Sequence, residues 1–183
     1  MIVVLNGTSS SGKSTLAKAL QDVLSRPALL VGIDTFVFAL PRRFVNDPVH
    51  WSEVFRYEYV EGVIDRIAPA PLGDRLVRGL HRAVAALADD GLDVVVDHVL
   101  LSQEWADDLT ACLAPYDVLR VGVTCPVEVL DAREAARGDR TLGQARAQHP
   151  VVHTFLEYDV VVDTSANTPE ECADTVAAAV SPG

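Results

Sequence analysis

The sequence predicts an α/β fold in which a parallel five-stranded sheet is flanked by helices on both faces. Two observations support this prediction: short apolar runs alternate with stretches of helical periodicity, and the first run leads directly into a glycine-rich loop and a helix. The runs are nearly continuous in apolar residues, as expected for strands buried on both faces. They occupy residues 1–6, 28–33, 93–97, 118–123 and 160–162.

Helical patterns connect these runs. The first helix follows the glycine-rich loop, and two more are predicted over 75–87 and 103–113. The last helix is predicted to begin after Thr168, because Pro169 suits the first helical position and Glu171 completes a capping box with Thr168. An Ala-Pro-Ala-Pro sequence at residues 68–71 indicates a break before the second of these helices.

Length and charge favour one domain that acts on small molecules. The 183 residues are enough for a single domain with its own core, which we place over 1–183. The formal net charge of −11 argues against a nucleic-acid groove, because such a groove must neutralise phosphates with basic side chains. We therefore expect a small-molecule acceptor and no nucleic-acid partner.

Other features of the sequence favour a cytoplasmic protein. The N-terminus lacks the features of a secretion signal, and no apolar run approaches the roughly 20 residues needed to cross a bilayer, so no membrane partner is expected. The three cysteines, Cys112, Cys125 and Cys172, are widely spaced and predict neither a disulfide framework nor a zinc site. The sequence leaves open whether the chain forms a homo-oligomer.

The loop after the first run matches the phosphate-binding pattern G-x-x-x-x-G-K-[ST]. Its glycines allow a tight turn whose backbone N–H groups face a polyphosphate, with the positive end of the next helix beneath it. Lys13 is expected to reach the outer phosphates, and Ser14 to place its hydroxyl on Mg²⁺. We therefore predict ATP and Mg²⁺ as cofactors. The predicted nucleotide contacts are Gly7, Thr8, Ser9, Ser10, Ser11, Gly12, Lys13, Ser14 and Thr15.

Carboxylates follow three of the runs, at the sheet edge where ligands bind in open parallel sheets. Asp97 follows the valine-rich third run and is predicted to belong to the magnesium shell with Ser14; the alternative is a cap for the next helix. Asp34 is the candidate general base that accepts the proton of an acceptor hydroxyl. Its alternative role is to cap a helix beginning at Thr35. Asp163 is the third of these carboxylates.

Basic residues gather in the segment 133–150, which we interpret as a lid over the phosphates. Arg133 and Arg137 are four residues apart and share one helix face, so both are candidate catalytic residues that stabilise phosphate charge, and Arg133 is also a candidate nucleotide contact. Arg140 follows the glycine break at 138. The alternative is that Asp131 and Glu134 form surface ion pairs with these arginines.

Aromatic residues concentrate just beyond the second run, so segment 35–70 is the candidate acceptor-binding segment. The candidate contacts are Asp34, Phe36, Val37 and Trp51. The alternative is that these aromatic residues form core under a helical hairpin. His98, beside Asp97, is predicted to contact the acceptor or magnesium-bound water, whereas His149 and His153 are interpreted as structural because no metal-ligand pattern surrounds them.

Several segments together resemble the chloramphenicol phosphotransferase family of antibiotic-producing actinomycetes. The most specific are REAARGDR at 133–140 and EYDVVVDT at 157–164, and the phosphate loop, GIDT at 32–35 and VDHV at 96–99 agree with them. The other matching segments are 4–7, 39–41, 121–125 and 151–153. Two departures lie near the expected acceptor pocket: residues 44–71 differ from the family pattern, and His98 stands where a second acid is expected.

The resemblance implies a P-loop kinase fold similar to shikimate and adenylate kinases. It further implies transfer of the ATP γ-phosphate to a primary hydroxyl of an antibiotic, with Asp34 as the base and Arg133 and Arg137 stabilising phosphate. The last strand-to-helix turn would lie near the adenine. Two other functions stay open on the sequence alone, namely a metabolic kinase of the shikimate or nucleoside type and a nucleotide-binding switch. A pocket lined by Phe36, Phe38 and Trp51 favours the antibiotic, and one lined by Arg42, Arg43 and Arg56 favours an anionic metabolite.

Overall fold

A computed structural model describes residues 1–137 and 142–180 of the chain. Seven strands and nine helices occur in the described residues. In chain order they are β1 (Ile2–Asn6), α1 (Lys13–Val23), β2 (Ala28–Gly32), α2 (Ile33–Val37), α3 (Arg42–Asn46), α4 (Pro48–Trp51), β3 (Phe55–Val60), β4 (Val63–Pro69), α5 (Pro71–Asp89), β5 (Asp93–His98), α6 (Gln103–Leu113), β6 (Val118–Thr124), α7 (Val127–Arg137), α8 (Gln144–Gln148), β7 (Val160–Asp163) and α9 (Pro169–Ala179).

The main sheet has five parallel strands in the order β2-β5-β1-β6-β7, which confirms the predicted fold class. Each of the five apolar runs became one of these strands. Register places Asp97 between Gly32 of β2 and Leu5 of β1, so three strand ends meet at one edge. A Cβ atom on Gly32 would lie 2.9 Å from the backbone oxygen of Asp97, so glycine is required at this close approach.

Helices cover both faces of the sheet and divide the core in two. On one face α1 packs against α9 over a layer that includes Leu16, Leu20 and Val176. On the other face α5 and α6 pack together, and their layer includes Leu80 and the fully buried Trp105. No helix in the described part of the chain is long and apolar enough to cross a membrane.

A second, two-stranded antiparallel sheet follows the short helices α3 and α4, where sequence reasoning offered a pocket or a helical hairpin. The helical hairpin is wrong, but Phe36, Phe44 and Phe55 do pack in or against the core, as that alternative expected. Strands β3 and β4 are joined at Glu61 and Gly62, both with positive φ (51° and 82°), as two-residue hairpin turns require. The alternation of Phe55, Tyr57 and Tyr59 with charged residues has the period of a strand and would have indicated this hairpin.

The helix predictions differ from the structure mainly at one boundary. Helix α6 has the predicted bounds, and α9 begins with the predicted capping box, in which Thr168 Oγ1 and Glu171 exchange hydrogen bonds with backbone amides. Helix α5 begins at Pro71 rather than at the predicted residue 75. Proline is favoured at the first helical position, so Pro71 starts this helix instead of breaking the chain before it.

Two glycines of α5 provide a matched test of packing. A Cβ atom on Gly73 would lie 2.1 Å from the backbone oxygen of Val54, whereas one on Gly79 would meet nothing within 4 Å. We expect Gly73→Ala to lower the free energy of unfolding by about 1–3 kcal/mol through overpacking. Gly79→Ala should raise it by about 0.5–1 kcal/mol, because alanine loses less backbone entropy in a helix. Urea unfolding measures both, and a neutral Gly73→Ala variant would contradict the close approach of α5 to residue 54.

Candidate active site

The phosphate loop connects β1 to α1 and is closely packed. A Cβ atom on Gly7 would lie 2.4 Å from the backbone oxygen of Val123, so the loop must start with glycine. Gly12 caps α1 with a left-handed backbone (φ 88°). Within the part of the chain that the structure describes, the buried hydroxyls of Ser10 and Ser11 have no hydrogen-bond partner. Such donors in a glycine-bounded loop at a helix start fit an anionic ligand.

Lys13 and Ser14 converge on Asp97, as the sequence predicts for the outer end of a phosphate site. The side chain of Lys13 is only 6% exposed; its ammonium donates to the backbone oxygen of Thr8 at 2.6 Å and lies 3.9 Å from Asp97 Oδ1. The hydroxyl of Ser14 donates to Asp97 Oδ2 at 2.6 Å. Register explains the meeting, because β5 and β1 are neighbours and end at the same edge.

The pair of Ser14 and Asp97 has the chemistry of a magnesium site. Magnesium is usually held by one or two carboxylates together with waters and substrate phosphates rather than by a cage of protein ligands. The described residues contain no group of three or more His, Cys, Asp or Glu side chains that could hold a metal by themselves. These two side chains fit a nucleotide-bound Mg²⁺, and the helix-cap alternative is wrong for Asp97, since Ser102 caps α6.

A cavity of about 860 Å³ extends from the phosphate loop across the carboxyl ends of β2 and β5. Its polar end includes Ser9, Lys13, Ser14 and Asp97. Its other end is apolar, with walls from the segment between β2 and β5 and from residues just after β5. The side chains there include Val37, Phe38, Trp51, Phe55, Tyr57, Tyr59, Ile67, Val99 and Leu101.

Asp34 lies on the cavity wall, in the first turn of α2. The helix is capped by Gly32, whose N–H donates to Thr35 Oγ1 at 3.3 Å, so Asp34 is not the cap and that alternative is wrong. Asp34 is exposed, and it lines the same cavity as Lys13 and Asp97.

Helix periodicity separates the predicted acceptor residues of α2. Residues three and four positions after Asp34 share its face, so Val37 and Phe38 line the cavity with it. Phe36 is partly buried against the core and is not part of the cavity wall, so its predicted acceptor contact is not supported. Trp51 lines the cavity as predicted, at 5.5 Å from the ring of Phe55.

The two predicted lid arginines have different surroundings. Arg137 lines the cavity. Arg133 instead donates to the backbone oxygen of Thr164 at 2.7 Å and to its hydroxyl at 3.1 Å. The Thr164 hydroxyl in turn donates to the backbone oxygen of Ser11 at 2.6 Å. Arg133 therefore supports the phosphate loop indirectly, through Thr164. Arg140 lies outside the described residues.

Within the described residues, both acids that the ion-pair alternative named as partners of these arginines have other partners. Asp131 pairs with Arg146. Glu134 is buried, and its carboxylate accepts hydrogen bonds from the backbone amides of Gly143 (2.6 Å) and Ala145 (3.1 Å). Helix α7 is thereby joined to the start of α8.

His98 is a core residue and does not line the cavity. It has no exposed surface, and its Nε2 lies 2.9 Å from Nε2 of His81, whose Nδ1 lies 2.7 Å from Asp108. The predicted contact with the acceptor or magnesium water is therefore not supported, because successive residues of a strand point to opposite faces and Asp97 takes the cavity side. The other strand-end acid, Asp163, accepts hydrogen bonds from Ser165, which lower its pKa.

The buried histidines predict a loss of stability in mild acid. Burial lowers the pKa of His98 from 6.5 to about 3, so the folded chain keeps His98 neutral in mild acid, and burial lowers the pKa of His81 as well. The unfolded chain takes up these protons below its ordinary pKa, so the stability present above that value is lost as the pH falls toward the folded pKa. Between pH 7 and 5 we expect His98 alone to lower the free energy of unfolding by about 2 kcal/mol. Urea unfolding at both pH values measures this, and equal stabilities would contradict it.

Sequence reasoning missed two cavity residues on α8, Gln144 and Gln148. Gln148 accepts a hydrogen bond from the backbone amide of Ser9 at 2.6 Å, and Gln144 donates to the hydroxyl of Tyr57 at 2.7 Å. Their spacing of four is the only local signal, because it places both on one helix face.

The chain matches known proteins over nearly its whole length. The model of the family described as chloramphenicol phosphotransferase-like protein matches residues 1–181. A relative from Mycobacterium tuberculosis, named as a proposed O-phosphotransferase, is 33% identical over 178 residues, which cover 94% of this chain and 78% of the relative.

Solved kinases share the fold. A sugar kinase from Janibacter has a TM-score of 0.65 at 20% identity, covering 99% of this chain and 98% of its own. The APS kinase of Mycobacterium tuberculosis, in complex with AMPPNP and APS, has a TM-score of 0.59 at 18% identity, covering 97% of this chain and 95% of its own. At these identities the likeness shows a P-loop kinase fold.

Proposed function

Because the chain belongs to the chloramphenicol phosphotransferase-like family, we propose that it transfers the γ-phosphate of ATP to a hydroxyl of a small, largely apolar antibiotic, chloramphenicol or a relative. Family and fold make it a phosphotransferase of the kinase type. The nucleotide, the metal and the acceptor are the proposal. The observation that carries it is one cavity with a phosphate loop at one end and an aromatic wall at the other.

The polar end of the cavity supports binding of a triphosphate. Loop amides and the start of α1 bind the phosphates, and the ammonium of Lys13 neutralises charge on the outer ones. Ser14 and Asp97 hold Mg²⁺, which supplies further charge neutralisation when bound. Arg137, on the same wall, adds a guanidinium to this end of the cavity.

The position of Asp34 supports its role as the base. The acceptor hydroxyl gives its proton to the Asp34 carboxylate while its oxygen forms a bond to the γ-phosphorus. The bond from that phosphorus to the bridging oxygen breaks, and ADP leaves with the electron pair. Because phosphoryl transfer has a loose transition state, Asp34 acts mainly by orienting the hydroxyl.

The acceptor wall favours an uncharged, apolar molecule over an anionic metabolite. On β3, Phe55, Tyr57 and Tyr59 line the cavity, whereas Arg56 alternates to the opposite side. Arg42 and Arg43 are exposed and, among the described residues, are not part of the cavity wall. An anionic acceptor would need such cations near it, and an antibiotic with an aromatic ring would stack on the side chains present.

A panel of acceptors tests the proposal. The purified protein is incubated with ATP, Mg²⁺ and chloramphenicol, other hydroxylated antibiotics, shikimate and nucleosides, and mass spectrometry detects any acceptor that gains one phosphoryl group. Chloramphenicol with its primary hydroxyl blocked is the matched control. A phosphorylated antibiotic is the expected result. Modification of shikimate or a nucleoside alone would overturn the antibiotic assignment, and ATP binding without any modified acceptor would favour a nucleotide-binding switch.

Phe38 tests the apolar wall directly. Its side chain lines the cavity although 60% of its surface is exposed. We expect Phe38→Ser to raise the KM for the modified acceptor about tenfold, because an aromatic contact area is lost, and to leave the KM for ATP unchanged. Val49→Ser is the control, since Val49 is 74% exposed and lies off the cavity wall. Equal KM values in the two variants would contradict this wall as the acceptor site.

A further inference from the structure

Gln148 lies between the phosphate loop and the cavity. Its side chain is 8% exposed, its Oε1 accepts the hydrogen bond from the Ser9 amide at 2.6 Å, and the residue is part of the cavity wall. Because Oε1 is committed to the loop, the amide nitrogen Nε2 is the group that this side chain can offer to a bound ligand.

Helix α8 is held firmly enough to orient this side chain. The Glu134 carboxylate binds the amides of Gly143 and Ala145 at the start of the helix, and Gln144 binds the Tyr57 hydroxyl of the hairpin. Contacts on three sides, to α7, to β3 and to the loop, therefore fix the position of Gln148. Because the Gln148 side chain is already held in place, a hydrogen bond from it to a ligand costs little side-chain entropy.

The neighbours of Gln148 identify the part of the nucleotide that it faces. Ser9 follows Thr8, whose backbone oxygen accepts the hydrogen bond from Lys13 Nζ at 2.6 Å. A phosphate-loop lysine reaches the β- and γ-phosphates. Gln148 therefore binds the loop at Ser9, next to the residue that holds the Lys13 ammonium, and so lies near the expected position of the outer phosphates. It lines the same cavity as Asp34.

We propose that Gln148 is a binding residue for the terminal phosphate of ATP, with Oε1 on the Ser9 amide and Nε2 donating to an oxygen of the γ-phosphate. This inference rests on the proposed nucleotide site but not on the identity of the acceptor. A neutral donor here orients the phosphate for transfer and distinguishes a triphosphate from a diphosphate, because ADP lacks the oxygen that Nε2 binds.

Calorimetric titration with two probes, Mg²⁺–AMPPNP and Mg²⁺–ADP, tests the proposal on the wild type and on Gln148→Leu. We expect the variant to bind AMPPNP about tenfold more weakly, the loss typical of one hydrogen bond to a charged group, and to bind ADP within about twofold of the wild type. Gln103→Leu is the matched control, since Gln103 is exposed on α6 and bonded to Asp107, away from the cavity. It should change neither affinity.

Gln148→Glu separates contact with the ligand from support of the loop. Glutamate keeps an oxygen for the Ser9 amide but replaces the Nε2 donor with a carboxylate oxygen, so AMPPNP should again lose more affinity than ADP. Equal losses for both probes, or no loss in either variant, would overturn the proposal and leave Gln148 as a support of the loop. A wild type that binds neither probe would reject the nucleotide site itself, and thermal melting of each variant shows that it is folded.

Discussion

Lys13→Ala is expected to lower the turnover number by about two or more orders of magnitude, the loss seen when one oriented transition-state donor is removed. The Lys13 ammonium is buried, held by the Thr8 backbone oxygen and close to Asp97, so its charge is fixed before the reaction begins. Charge accumulates on the transferred phosphoryl group during the reaction, and a fixed cation stabilises it. Steady-state assay of the modified acceptor, or of ADP release, measures the effect.

Lys18 provides the control for Lys13. It lies on the same helix, is exposed and is not part of the cavity wall. Lys18→Ala removes the same charge from the chain and should leave turnover nearly unchanged. Near-normal turnover in Lys13→Ala, with a folded protein, would contradict the role of the loop in phosphoryl transfer.

Asp34→Asn is expected to lower turnover about a hundredfold or more, within the usual range for loss of a general base, while ATP affinity stays the same. Asparagine keeps the shape of the side chain, but its neutral amide oxygen is a weaker acceptor than the carboxylate, so it orients the hydroxyl less well and cannot take its proton as the new bond to phosphorus forms. Calorimetry with a non-hydrolysable ATP analogue and a turnover assay separate binding from chemistry.

Asp65→Asn is the control for this variant, because Asp65 is an exposed acid on β4 outside the cavity wall and its loss should leave both quantities unchanged. If Asp34→Asn binds the analogue normally and turns over at the wild-type rate, Asp34 is not the base. A parallel loss of nucleotide affinity would instead place Asp34 in contact with the phosphates.

The elements predicted correctly are those with a strong local pattern. Each of the five apolar runs formed a strand of the main sheet, and α6 and the cap of α9 lie where their periodicity and capping residues indicate. The meeting of Ser14 and Asp97 was also predicted correctly, because the carboxyl ends of parallel strands lie at the same edge of the sheet. The β3–β4 hairpin was missed because its alternation lies among aromatic residues that suit a pocket, a core or a strand equally well.

Orientation within elements required the three-dimensional structure. Phe36 and Phe38 have the same chemistry and lie two residues apart, yet one packs in the core and the other lines the cavity. His98 is adjacent to Asp97 and points away from it into a buried pair with His81, a partner from a separate helix. Gln148 reaches Ser9 across 139 positions of sequence, and no local pattern marks such a contact.

The sequence by itself determined the parallel sheet, the phosphate loop with Lys13 and Ser14, and the placement of Asp34 and Asp97 at strand ends. These features depend on local periodicity and on turns and caps, and both are specified by residues that are close together in the sequence. Only the tertiary structure decided which aromatic side chains line the cavity, that Arg133 supports the loop through Thr164, and that Gln148 joins the loop to α8. Those contacts form between distant segments, and their partners are selected by how the packed helices and strands fit together.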